Sequence, residues 1–96
     1  MNTIAQIRDL LIENKRKLFE KYHLRTLGIF GSYAKNQQSK DSDIDILVEF
    51  EKPIGIKFID LAEELEKLLN TKVDLVSKNG VKKKYLDRIQ QDLTYV

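Results

Sequence analysis

Asp43-Ile44-Asp45-Ile46-Leu47-Val48-Glu49-Phe50 alternates with a period of two, the pattern of a β-strand whose faces meet different surroundings. Ile44, Ile46, Val48 and Phe50 share the apolar face, while Asp43, Asp45, Leu47 and Glu49 share the other. Pro53 and Gly55 punctuate its exit. Upstream the period becomes helical. Thr3 and Gln6 have the spacing of a capping box, and Ile4, Ile7, Leu11 and Leu18 form a stripe widened by Leu10, Phe19 and Tyr22. That predicts a helix from Ile4 to about Tyr22. Thr26 to Phe30 is a short run of strand formers stopped by Gly31, followed by a helical turn over 32–35 and a polar loop over 36–42. Downstream, Phe58, Leu61, Ala62, Leu65, Leu68 and Leu69 predict a helix over 56–69, and Val73 to Val76 a further strand. Asn79-Gly80 marks a turn, and Leu86, Ile89 and Leu93 place a last helix over 81–93. Tyr95 and Val96 are left as a frayed tail or a partner-binding tip. The order α-β-α-β-α-β-α predicts an α/β (α+β) fold, a small mixed sheet with helices packed against it.

Ninety-six residues and 11.2 kDa suit one domain, spanning 1–96, with little room for a second one to grip a substrate. The absence of cysteine removes disulfides, thiolate metal sites and thiol nucleophiles, and the single His23 makes no histidine-rich zinc site. No stretch is long and apolar enough to span a membrane, and no secretory leader is visible, so a cytoplasmic protein is expected. The net charge of +2 is uninformative, but its distribution is not. An acidic centre with Asp41, Asp43, Asp45, Glu49 and Glu51 lies between basic stretches at Lys15 to Arg25 and Lys78 to Arg88.

Asp43 and Asp45 need a physical account. Positions i and i+2 on a strand point to the same side with Cα atoms about 6.6 Å apart. Two bare carboxylates there repel, at a cost in stability that a cation or a proton relieves. Carboxylate oxygens suit a hard divalent ion, magnesium or manganese, and two ions about 3.5–4 Å apart also fit. Asp74 interrupts the apolar Val73, Leu75 and Val76, where a carboxylate is a poor strand former. If the two strands are neighbours, all three acids converge; as isolated residues they read equally as strand-edge carboxylates in water. Gly31-Ser32 follows a strand and opens a helical turn. Glycine permits close backbone approach, and free N–H groups with the Ser32 hydroxyl make geometry suited to a phosphate. Alone, Gly-Ser is also what any strand-to-helix turn carries.

The run from Gly31-Ser32-Tyr33-Ala34-Lys35 through Asp41-Ser42-Asp43-Ile44-Asp45-Ile46-Leu47-Val48 resembles the signature of the polymerase β-like nucleotidyltransferase superfamily. More narrowly, the whole chain resembles its minimal nucleotidyltransferase (MNT) group. The resemblance implies a polymerase β palm-like fold in which Gly31 and Ser32 hold the triphosphate of a nucleotide, with Lys35 beside them. It implies that Asp43 and Asp45 coordinate two magnesium ions and that Asp74 holds the metal next to the acceptor hydroxyl. The reaction implied is transfer of a nucleoside monophosphate, AMP from ATP, to that hydroxyl with release of pyrophosphate. Lys35 stands where arginine is usual and Asn36 where glycine is usual. Lysine keeps the charge without the planar fork, and asparagine tolerates a left-handed backbone.

Members of the group occur beside a small helical HEPN-domain protein, a ribonuclease toxin, and some transfer AMP to its tyrosine. The resemblance therefore implies an antitoxin that adenylylates its partner. Two other readings stay open: a binding-only antitoxin, and nucleotidyl transfer to RNA or a small molecule. An exposed helix or sheet edge in so small a protein also allows a homo-oligomer. The basic stretches read as solvated helix surfaces or as patches for RNA or an acidic partner, with no aromatics interleaved for stacking. Lys82, Lys83 and Lys84 fall at the unfavourable end of their helix for cations. Tyr33 and Tyr85 are expected in packing roles, and His23 at a helix-to-strand junction.

Overall fold

The computed structural model describes residues 3–96. Helix α1 (Ile4–Tyr22) begins on the expected capping box: the Thr3 hydroxyl accepts from Gln6 N–H at 3.2 Å, and the Gln6 side chain accepts from Thr3 N–H at 2.9 Å. His23 ends it in the left-handed region, at φ 54. Strand β1 (Leu24–Phe30) runs directly into a short helix α2 (Gly31–Ala34). Strand β2 (Ile44–Phe50), helix α3 (Lys57–Leu69), strand β3 (Val73–Ser77), a 3-10 turn (Lys78–Gly80), helix α4 (Lys83–Gln90) and a two-residue strand β4 (Thr94–Tyr95) follow.

The sheet has four strands in the order β3-β2-β1-β4, with β2 and β3 parallel and both other pairings antiparallel. Leu27 and Ile29 of β1 and Ile44, Ile46 and Val48 of β2 bury one face against α1 and α3. Those helices supply Ile7, Leu11, Leu18 and Tyr22, and Leu61, Leu65 and Leu69, each at most 2% exposed. Complete burial of one such side chain stabilises by about 1.5–3 kcal/mol, so this layer holds the sheet in place. The opposite face carries Asp45, Leu47 and Glu49, and it bears the candidate site.

Three expectations change at the C-terminus. The last helix stops at Gln90, short of Leu93, because Leu93 leaves it to cover Gly28: a Cβ at Gly28 would lie 2.6 Å from Leu93 Cδ1. Tyr95 and Val96 are no frayed tail; β4 pairs with β1, and Val96 N–H donates to Leu27 O at 2.9 Å. Tyr85, expected at the core or rim of its helix, is 53% exposed on a helix with no buried residue, which excludes the core placement. Strand β1 also starts two residues early, Leu24 pairing with Phe50 across an irregularity before Thr26. No helix of the described residues is long and apolar enough to cross a membrane.

Candidate active site

The turn after β1 is built from residues that have little alternative. Gly31 sits at φ +75, which disfavours any side chain. Tyr33, 4% exposed, pins the turn to the main core, and this is the packing role expected for it. Lys35 N–H donates to Gly31 O at 3.1 Å and Gln37 N–H to Ser32 O at 2.8 Å, while Asn36 takes the left-handed φ of 58 that its residue type tolerates. Ser32 is half-buried beside Gly31.

The polar loop then folds on itself before β2. Ser39 N–H donates to Ser42 Oγ at 2.9 Å, and Ser42 N–H to Ser39 O at 3.1 Å. Asp43 follows, exposed and one residue before the strand. Ile44 N–H donates to Lys72 O at 2.9 Å, which locks the start of β2 to the chain entering β3.

That lock sets the register, and the register gathers the acids. Asp45 lies directly opposite Asp74 on β3 and opposite Phe30 on β1, the residue before Gly31. Partners across a ladder share a face, so Phe30, Asp45 and Asp74 form one row across the sheet. The turn closes over it: a Cβ on Gly31 would overlap Asp45 Oδ2 and approach its Cγ to 3.0 Å. Asp45 is half-buried and Asp74 exposed. Burial, then the Asp74 charge, then the Asp43 charge push the Asp45 carboxyl up to about 6.

All three donors are hard oxygens, and their mutual repulsion is the kind that a divalent cation relieves. The row therefore fits such an ion in charge and donor chemistry. It is not a finished cage: among the described residues no group of three or more His, Cys, Asp or Glu forms a ready-made metal site. Asp43 and Asp74 have to turn toward Asp45 to share an ion.

Lys35 belongs to the same end of the molecule but is already engaged, its Nζ 3.5 Å from Asp92 Oδ2. No sequence pattern marks Asp92, because the contact exists only when the chain returns along β1 as β4. A cavity of about 390 Å³ lies at the other end of β2, walled by Phe50, Pro53, Ile54 and Phe58, and takes no part in the row.

Residues 13–94 match the family model described as "Polymerase beta, Nucleotidyltransferase". The chain belongs to this family. Among curated relatives, "Putative protein adenylyltransferase MJ0128" of Methanocaldococcus jannaschii is 50% identical, with all of both chains covered. "Protein adenylyltransferase MntA" of Thermococcus cleftensis is 41% identical over all of this chain and 98% of its own. Among solved structures, a toxin-antitoxin complex with AMP-PNP superposes with a TM-score of 0.73 at 27% identity, covering 86% of this chain and 69% of that one. The family's nucleotidyltransferase fold is thus the fold described above.

Proposed function

We propose that this chain is a divalent-metal-dependent protein adenylyltransferase, the antitoxin of a toxin-antitoxin pair, which transfers AMP from ATP to a hydroxyl of a HEPN-type toxin. The observation that carries the reading is the position of Asp45, opposite Asp74 in the ladder and directly beneath Gly31. A phosphate turn and an acidic row a few ångströms apart are what nucleotidyl transfer needs, and the adenylyltransferase relatives and the AMP-PNP complex supply the nucleotide and the partner class.

In this reading Gly31 and Ser32 bind the triphosphate through backbone N–H groups and the Ser32 hydroxyl, with Lys35 as a nearby point charge. Asp43, Asp45 and Asp74 hold magnesium, with manganese as the alternative. A divalent ion held by these carboxylates would supply neutralisation of the negative charge that builds up during the transfer. Asp74, at the exposed end of the row, takes up the acceptor hydroxyl proton. The freed oxygen forms a bond to the α-phosphorus while the bond to pyrophosphate breaks. Because the row lies on an open face, a protein acceptor in complex has access to it.

The test combines purified chain, α-labelled ATP, magnesium and the HEPN-type partner. Label is expected on the partner, falling about 100-fold or more with Asp43→Asn or Asp45→Asn. Neutralisation of the partner that survives both substitutions, with no label at any stage, would establish a binding-only antitoxin instead.

A further inference from the structure

Resting on the adenylyltransferase reading, we propose that the acceptor reaches Asp74 as an extended segment that adds to the open edge of β3. Strand β3 is the outermost strand of the sheet. Ile44 N–H donates to Lys72 O, and the register runs from Ile44↔Val73 to Val48↔Ser77. In a parallel ladder of that register the backbone groups of Asp74 and Val76 face β2, while those of Val73, Leu75 and Ser77 face away. Glu66 Oε2 accepts from Val73 N–H at 3.0 Å and closes the upper end. Leu75 is left with an N–H and a C=O, and Ser77 with its N–H, directed to the side on which no described strand lies, while the Ser77 C=O caps the following 3-10 turn. Neither proline nor lysine, the usual guards of an exposed edge, interrupts Val73 to Ser77.

The edge is the right one for the chemistry. A strand paired with β3 extends the row Phe30–Asp45–Asp74 by one position, on the same face, with its Cβ about 4.5–5.5 Å from that of Asp74. If the added strand is antiparallel and bonds through Leu75, that position is a non-hydrogen-bonded pair, the closer of the two pair types. A hydroxyl carried there stands beside the carboxylate that receives its proton. Main-chain bonds supply the affinity, and the residue opposite Asp74 supplies the acceptor.

Charge favours a foreign segment over a second copy of this chain. Lys72, exposed, and Lys78, whose Nζ lies 4.0 Å from Glu49 Oε1, bracket the edge. A two-fold pairing centred on Leu75 would set Lys72 of one copy against Lys78 of the other, twice, and like charges directly opposite are destabilising. An extended segment with an acidic residue two positions from its acceptor hydroxyl is complementary to the exposed Lys72.

Amide hydrogen exchange on the full chain, free and in complex with the HEPN-type partner, tests this. In the free chain Leu75 and Ser77 amides should exchange fast while Asp74 and Val76 are protected. Complex formation should slow Leu75 and Ser77 at least tenfold. Leu75→Pro removes an outward N–H without breaking the β2 ladder. It should raise KM for the partner about tenfold and leave the Kd for ATP within twofold. Leu75 packs against the core, so Ser77→Pro, which removes the other outward N–H, serves as the second variant. Transfer in a complex whose Leu75 and Ser77 amides stay unprotected overturns the edge proposal and leaves adenylyl transfer standing. Protection without transfer supports edge docking and removes the catalytic reading. Protection that grows with chain concentration alone assigns the edge to a second copy and overturns the proposal.

Discussion

Asp45 Oδ2 occupies the space that a side chain on Gly31 would need, and Gly31 holds φ +75. The turn and the acidic row are fitted together by a missing methyl group. Gly31→Ala should therefore lose about 1–3 kcal/mol of stability and displace the Asp45 carboxylate, abolishing detectable transfer. Gly55→Ala is the control, since Gly55 has φ +58 with no atom of the described residues within 4 Å of its Cβ position. It should lose a similar amount of stability in thermal melts and keep full activity.

Asp45 also predicts an acid-side trend in the metal-free protein. Its carboxyl is pushed from 3.8 up to about 6, by burial first and the Asp74 and Asp43 charges next. The folded state binds this proton more tightly than the unfolded one, so this contribution is present in full below about 4 and is lost as pH rises to about 6. Asp45→Asn should raise the Tm at pH 7.5, by the equivalent of about 1 kcal/mol once solvent screening of a half-buried group is allowed for. Magnesium should raise the Tm of the parent protein at that pH and barely move that of the variant.

The bond between α1 and α3 should respond with the opposite sign. Tyr22 OH donates to Glu64 Oε1 at 2.7 Å, and Lys21 Nζ lies 2.9 Å from the same oxygen. The Tyr22 hydrogen bond, then that from Lys21, hold the Glu64 carboxyl below its ordinary value. Its contribution is present above pH 4.5 and lost as pH falls through the lowered value. Tyr22→Phe should cost about 1 kcal/mol at pH 7 in urea unfolding, and the difference should shrink in acid.

Lys35 and Asp92 give a nucleotide-side prediction. Lys35→Ala should raise KM for ATP about three- to tenfold with kcat within twofold, the pattern of a charge that binds without acting on the reacting atoms. Steady-state kinetics at fixed partner concentration check it. An equal fall in kcat would place Lys35 in contact with the transition state.

Much of this architecture was legible in the chain. The alternation over 43–50 and the helical stripes of α1 and α3 are strong periodic signals, and the structure returns them within a residue or two. Asp43 and Asp45 stood out as two carboxylates on one face of an alternating strand and Asp74 as the break in an apolar one, and the ladder sets Asp45 opposite Asp74. What could not be read was non-local. Strand β4 is two residues long, too short to carry a period, and its pairing with Gly28 and Ile29 comes from Leu93 seating on a glycine 65 positions earlier in a parity no spacing reveals. The Lys35–Asp92 contact depends on that return and was hidden with it.

The unequal burial of the row has a bearing on how such a protein changes over generations. Asp74 stands exposed on an outer strand, so exchanging it for a neutral residue relieves repulsion and leaves the architecture intact. Asp45 lies beneath Gly31, its Oδ2 in the space a side chain there would need, so a neutral residue of its own size such as asparagine fits the position more readily than a larger one. A lineage abandoning chemistry for simple capture of its toxin would let Asp74 drift to many residue types and Asp45 only to asparagine or a smaller residue, so silent descendants should be recognisable by the unequal variety at the two positions.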